Sequence, residues 1–195
     1  MILVITGNGK GKTTSALGTA LRASGWGKRV AITFFDKGGS HYGEGNFFDF
    51  LQHLNSEKTY ISKSEIRSPK FEFLFPEIFR FGLERFDEEK KEFRFKNTEA
   101  DKDEVRKGID KVFTLYKEDY FLIVCDELVT CLNAELVDDE SIRKLINECP
   151  KDTHLLLTGR GAPDWLIKKA DLASEIKDVK HYFKHGKNVI KGLDY

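Results

Sequence analysis

Apolar residues fall along this chain in two alternating patterns. Short, nearly continuous apolar runs at residues 1–6, 29–35, 120–127 and 154–160 read as buried strands. Between them, apolar positions recur at helical spacing. Residues 13–24 place Ala16, Leu17, Ala20 and Leu21 on one face, and the glycines of "GWGK" (25–28) end that helix. Residues 98–116 read as a helix opened by Thr98 with Asp101 three positions on, the spacing of a capping box. Residues 141–149 form another, closed by Pro150, and residues 163–170 a last one with Pro163 in its first turn. Apolar strands alternating with helices predict a mostly parallel sheet covered on both faces, a three-layer α/β fold. In such sheets ligands bind beyond the carboxyl ends of the strands.

The middle of the chain departs from this pattern. Between Phe71 and Phe95 lie eight of the 16 phenylalanines: Phe71, Phe73, Phe75, Phe79, Phe81, Phe86, Phe93 and Phe95. "FEFLF" alternates like a strand, but Pro76 follows at once and charged residues separate the rest. This Phe-rich stretch, about residues 56–96, receives no secondary-structure assignment. No internal repeat or low-complexity linker divides the chain, so residues 1–195 read as one domain.

Composition narrows the classes of function. Lys plus Arg and Asp plus Glu are 32 each, so no net positive field exists to hold nucleic acid. No apolar run approaches the ~18 residues of a membrane span, and "MILVITG" lacks the basic start of a signal peptide. Cys125, Cys131 and Cys149 form no CxxC pair, which points to a reducing, cytoplasmic setting.

The chemistry concentrates in "ITGNGKGKTTSALGTAL", residues 5–21. A phosphate-binding loop of the G-x-x-x-x-G-K-[ST] type would open with glycine where Thr6 stands; here the glycine comes one residue late, at Gly7. The remaining elements are intact. Gly7, Asn8, Gly9, Lys10 and Gly11 join a strand to a helix, so backbone N–H groups can turn toward phosphate oxygens. Thr14 follows in the first helical turn, whose N-terminus favours anions. Lys12 can reach the phosphates as a catalytic cation, and the Thr13 hydroxyl can bind Mg²⁺ or Mn²⁺. These features specify a P-loop NTPase-type (RecA-like) fold and a bound nucleotide.

Two further strand ends converge on that loop. Asp126 and Glu127 close an apolar strand, where a carboxylate partners a phosphate-bound metal. Either can be the direct ligand with the other behind it; capping of the next segment is the alternative. Arg160, in "TGRG", can neutralise a leaving group, or else serve a structural ion pair. His41, His53, His154, His181 and His185 are scattered, and none pairs with a nucleophile as a general base. No N-K-x-D guanine-reading motif is present.

The sequence resembles the ATP:corrinoid adenosyltransferases. The likeness runs through "TGNGKGKTTSALGTALRASGWGKRV" with its displaced glycine, "DKGG", "NTEAD", "VCDEL" and the tail from "TGRGAPDWL" to "GLDY", about two thirds of the chain. It implies that a Co(I) corrinoid attacks the 5′-carbon of ATP and that triphosphate leaves whole. Such a nucleophile carries no proton, so no general base is required. It also implies Thr13 and Glu127 as metal ligands, a homodimer, a reducing partner such as a flavoprotein, and ATP lying reversed relative to other P-loop enzymes. Some members carry an N-terminal extension over the corrinoid site, whereas this sequence begins at the first strand. Some place a Phe and a Trp just before "N-x-E-A-D" to displace the corrinoid's lower axial base. Here Phe93 and Phe95 stand nearest, as corrinoid-facing residues or as core. A kinase or ATPase of another pathway, and a nucleotide-binding regulator without turnover, are the competing classes.

Overall fold

The computed structural model describes residues 1–38, 43–56, 74–87, 92–182, 186, 188 and 190–193. Its first half contains β1 (Ile2–Thr6), α1 (Lys12–Gly25), β2 (Val30–Phe35), α2 (Gly43–Ser56), β3 (Glu77–Phe81), β4 (Phe86–Asp87) and β5 (Glu92–Phe93). Its second half contains α3 (Glu99–Leu115), β6 (Leu122–Asp126), α4 (Leu128–Asn133), α5 (Asp139–Asn147), β7 (His154–Thr158), α6 (Asp164–Lys169) and β8 (Leu172–Glu175). One six-stranded sheet has the order β3-β2-β6-β7-β1-β8, and every neighbouring pair in it is parallel.

The central strands β2 and β6 are almost wholly apolar because both of their faces are covered. Val30, Ile32 and Phe34 of β2, with Leu122 and Val124 of β6, pack on Ala16, Ala20 and Ala23 of α1 and Phe48 of α2. The intervening Ala31, Phe35, Ile123 and Cys125 pack on the other side against Val105, Ile109 and Val112 of α3, Leu128 of α4 and Leu145 of α5. Successive side chains of a strand point to opposite faces, so neither face can be polar here. This is the three-layer α/β arrangement that the apolar pattern predicts.

The capping box forms as expected. Asp101 N donates to Thr98 Oγ1, and Thr98 N donates to Asp101 Oδ2 at 2.7 Å. Two expectations shift slightly. Pro163 is the N-cap of α6 rather than a residue of its first turn. β6 ends at Asp126 and β7 at Thr158, which leaves Glu127, Gly159 and Arg160 in the connections.

The Phe-rich segment supplies the sheet's outer strand. β3 pairs in parallel with β2, from Ala31↔Glu77 to Phe35↔Phe81. Pro76 precedes β3 and ends the preceding run without entering the ladder, as proline does at a strand start. Phe79 lies under the Lys111 ammonium, 4.2 Å from the ring centroid, and the Phe81 ring is 6.4 Å from that of Phe35. β4 and β5 then form a short antiparallel pair with Phe86 opposite Phe93 in the backbone register. Phe71, Phe73, His41 and His185 lie outside the described residues, as does the Phe93 side chain.

Arginines anchor this hairpin to the carboxyl end of β2 and the start of α3. Arg85 donates to Asp36 Oδ1 at 2.6 Å and to Asn97 Oδ1 at 3.1 Å. Arg94 binds both Asp101 carboxylate oxygens, at 2.7 and 2.8 Å. The Arg94 guanidinium, with help from Thr98, holds the Asp101 carboxyl well below the usual carboxylate range. Burial pushes Asp36 up despite the pull of Arg85. The hairpin thus hangs at the end of the sheet where ligands bind in α/β folds.

Candidate nucleotide and metal site

The late glycine in the loop has a tertiary cause. Thr6 ends β1, and its hydroxyl accepts from Ala162 N at 3.2 Å, so the place of the missing glycine has work for a side chain. Gly7 has φ 104°, the left-handed region, where residues other than glycine are strained. A Cβ there would stand 2.3 Å from the carbonyl oxygen of Ile176, which follows β8. The same carbonyl accepts from Gly9 N at 2.8 Å, and Ile176 N donates to Thr6 O at 2.8 Å. The loop is therefore clamped between its own strand and the chain leaving β8. Gly7→Ala is expected to cost about 2 kcal/mol or more and to weaken nucleotide binding. Urea unfolding and ATP titration check this; wild-type values in both would show that the clamp gives way freely.

α1 starts at Lys12 directly after Gly11. Lys12 is 6% exposed, and its ammonium folds back to donate to Gly9 O at 2.9 Å. Burial pushes this ammonium down, Glu127 pulls it up, Arg160 pushes it down again, and Asp126 and Asp178 pull it up. Charges from β6, from the connection after β7 and from the chain beyond β8 thus act on one lysine of the loop.

One residue later, Thr13 faces the end of β6. Asp126 is 0% exposed and accepts from Thr158 Oγ1 at 2.7 Å through Oδ1. Its Oδ2 accepts from Thr13 Oγ1 at 3.1 Å and from Lys37 Nζ at 2.8 Å. Lys37 also donates to Thr13 Oγ1 at 3.2 Å and to Glu44 Oε1 at 3.1 Å. Burial works against the Lys37 charge, yet Asp126 and Glu44 together raise its pKa. Glu127, the N-cap of α4, takes a left-handed backbone with φ 63°, so the chain turns from β6 straight into the helix. The Thr130 hydroxyl donates to the Glu127 carboxylate, and Arg160 N donates to Thr130 Oγ1 at 3.0 Å.

These oxygens suit a hard divalent cation. Mg²⁺ takes octahedral oxygen ligands at about 2.1 Å, so two adjacent ligands stand about 3.0 Å apart. Thr13 Oγ1 and Asp126 Oδ2 are 3.1 Å apart. Among the described residues no three His, Cys, Asp or Glu gather into an all-protein cage.

The structure brings Gly7, Gly9, Gly11, Lys12, Thr13, Asp126, Glu127 and Arg160 to one end of the sheet. Asn8 and Lys10 line the same loop at its exposed side, and Thr14 is exposed on α1. Phe95 is 85% exposed just beyond the anchored hairpin. His154 sits at the opposite end of the sheet, where it begins β7 beside the Met1 amine and the Phe121 ring. Cys125 and Cys131 are buried, and burial pushes both thiols up, away from reactivity. Sequence reasoning missed Lys37, Glu44, Thr130 and Ile176. Only Lys37 had a signal, the single cation of "DKGG" directly after β2.

A P-loop-type α/β protein is the class that the six-stranded parallel sheet and the glycine-rich turn between β1 and α1 define. The family model for "ATP:corrinoid adenosyltransferase BtuR/CobO/CobP" matches residues 1–195. The chain belongs to that family and is an enzyme of that class. It is similar to the corrinoid adenosyltransferase of Escherichia coli, 30% identical over 196 residues, covering 100% of this chain and 85% of the relative. It is similar to that of Pseudomonas aeruginosa, 30% identical over 195 residues, covering 100% and 83%. The Salmonella typhimurium corrinoid adenosyltransferase CobA is 29% identical, with 100% and 85% covered.

Proposed function

We infer that this protein transfers the 5′-deoxyadenosyl group of ATP to a Co(I) corrinoid and releases triphosphate. The observation that carries the reading is a glycine-rich loop with buried Lys12 beside a Thr13–Asp126 pair, in a chain matched end to end by the family. In this reading the cobalt centre supplies the electron pair for the new bond to C5′. The C5′–oxygen bond breaks, and its electrons leave on triphosphate. The loop amides of residues 7–13, Lys12 and Arg160 bear on that developing charge. Thr13, Asp126 and Glu127 would hold a divalent ion, Mg²⁺ or Mn²⁺, which when bound would supply a Lewis acid for the triphosphate. No side chain has to remove a proton, which suits a site whose charged neighbours are lysines, an arginine and carboxylates.

The test is product identity. Purified protein is incubated anaerobically with MgATP, a corrinoid and a strong reductant. Adenosylated corrinoid and triphosphate in equal amounts are expected. ADP or orthophosphate without an adenosylated product would instead indicate a kinase or ATPase.

The hairpin supports a place for the corrinoid. It hangs from Asp36, the residue before Lys37; Phe93 ends its second strand and Phe95 lies two residues on. In this reading the two aromatics shield the cobalt's lower face. Phe93→Ala and Phe95→Ala are expected to slow reduction at Co(II) several-fold while sparing transfer from preformed Co(I). Equal losses in the two assays would assign both residues to folding. A homodimer and a reducing flavoprotein belong to the same reading and rest on the resemblance of the sequence to the family. Among the described residues no helix is long and apolar enough to cross a membrane.

A further inference from the structure

The least expected group in the site is a lysine ammonium on the metal's own oxygens. Lys37 Nζ lies 2.8 Å from Asp126 Oδ2 and 3.2 Å from Thr13 Oγ1, the two atoms whose spacing suits adjacent ligands of one octahedral ion. The side chain is 11% exposed, and Glu44, at the first turn of α2, holds it from the other side at 3.1 Å. An ion about 2.1 Å from both oxygens would lie within about 4 Å of this nitrogen on whichever side it stood. The metal and the ammonium would then share two ligand atoms, while both are positive and the surroundings are dry enough to strengthen their repulsion.

We propose that Lys37 is the built-in counter-cation of the free site and that the divalent ion enters by exchange with it. In the free protein Lys37 neutralises Asp126, a fully buried carboxylate, through a direct ion pair at 2.8 Å. The metal arrives with a polyphosphate, whose oxygens complete its coordination and add negative charge. The ammonium then withdraws from Asp126 and Thr13. A bare divalent ion brings no such charge and does not displace it. The device makes the site load metal and nucleotide together. It rests on the assignment of Thr13 and Asp126 as metal ligands, and it is independent of what accepts the adenosyl group.

The experiment titrates the full chain with Mn²⁺ alone, following free Mn²⁺ by electron paramagnetic resonance. The parent is expected to bind weakly. Lys37→Met is expected to bind Mn²⁺ at least about tenfold tighter, and the difference between the two proteins should shrink when ATP is added. Lys12→Met removes the same charge from the same site without vacating those oxygens, so it is expected to change Mn²⁺ affinity by less than about threefold. Equal gains in the two variants, or none in Lys37→Met, would overturn the exchange. Should Lys37→Met fail to fold, crystals of the parent with Mn²⁺ and ATP decide through manganese anomalous scattering. Exchange places the ion on Thr13 Oγ1 with Lys37 moved off Asp126; an ion there with Lys37 still at hydrogen-bond distance from Asp126 overturns it. No measurement here uses a corrinoid. Failure therefore leaves the adenosyl-transfer reading standing, and failure of that reading leaves these outcomes unchanged.

Discussion

Lys12→Met is expected to cut adenosyl transfer about a hundredfold or more while raising the melting temperature of the free protein. Both effects come from one feature. The ammonium is nearly enclosed, and burial is the largest cause of its lowered pKa. A lysine whose pKa falls on folding carries a charge that the folded state disfavours, so a neutral side chain of similar length relieves that cost. In the proposed function the same ammonium turns from Gly9 O to the phosphates, and Arg160 close by adds to the positive field. A leaving group as charged as triphosphate depends on such donors most in the transition state, so kcat should fall more than affinity for ATP. Adenosyl transfer assays and thermal melting check the pair of effects. Lost activity with lowered stability would mean that Lys12 chiefly holds the loop together. Wild-type turnover would mean that the triphosphate lies elsewhere.

Asp126→Ala is expected to destabilise the fold by about 3–5 kcal/mol, the cost of stranding a buried partner charge. The Asp126 carboxylate has no exposure and accepts from Thr158, Thr13 and Lys37. Removing it leaves the Lys37 ammonium to Glu44 and two hydroxyl groups that have lost an acceptor. Urea unfolding measures the loss. Adding Lys37→Met should return part of it, because the stranded charge is then gone; the pair should fall short of additivity by more than about 1 kcal/mol. Strictly additive costs, or a loss under about 1 kcal/mol for Asp126→Ala alone, would refute the ion pair as the site's internal support. Glu127→Gln should act differently. Its side chain is half-buried at a helix start, so metal-dependent turnover should fall with little change in unfolding.

Much of this architecture was legible because local pattern carries it. Residues 120–125 are apolar throughout, as a strand covered on both faces requires, and Thr98 with Asp101 spells a helix start at capping distance. The phosphate loop was legible for the same reason. A strand, a run of glycines, a lysine and a threonine occupy the consecutive positions 2–13, and backbone conformation there is decided largely by neighbours. The Phe-rich segment was illegible. β3 is an edge strand with Glu77 and Arg80 exposed, so its sequence never shows the uninterrupted apolar run of a central strand. α2 was hidden by a glycine-rich start that reads as loop.

By itself, then, the sequence determined the α/β class, the central strands and the glycine-rich turn that joins β1 to α1. Family membership followed from motifs spread over the whole chain. The tertiary structure alone decided why the glycine stands at position 7, through a carbonyl from the far end of the chain. It alone placed Lys37 on Asp126 and Thr13, residues 89 and 24 positions away, and brought Thr13 to Asp126 across 113. The physical reason is one of range. Backbone propensity and burial periodicity act over a few residues and are written in local order. The partner of a buried charge is chosen by strand order, and strand order is settled only when the sheet assembles.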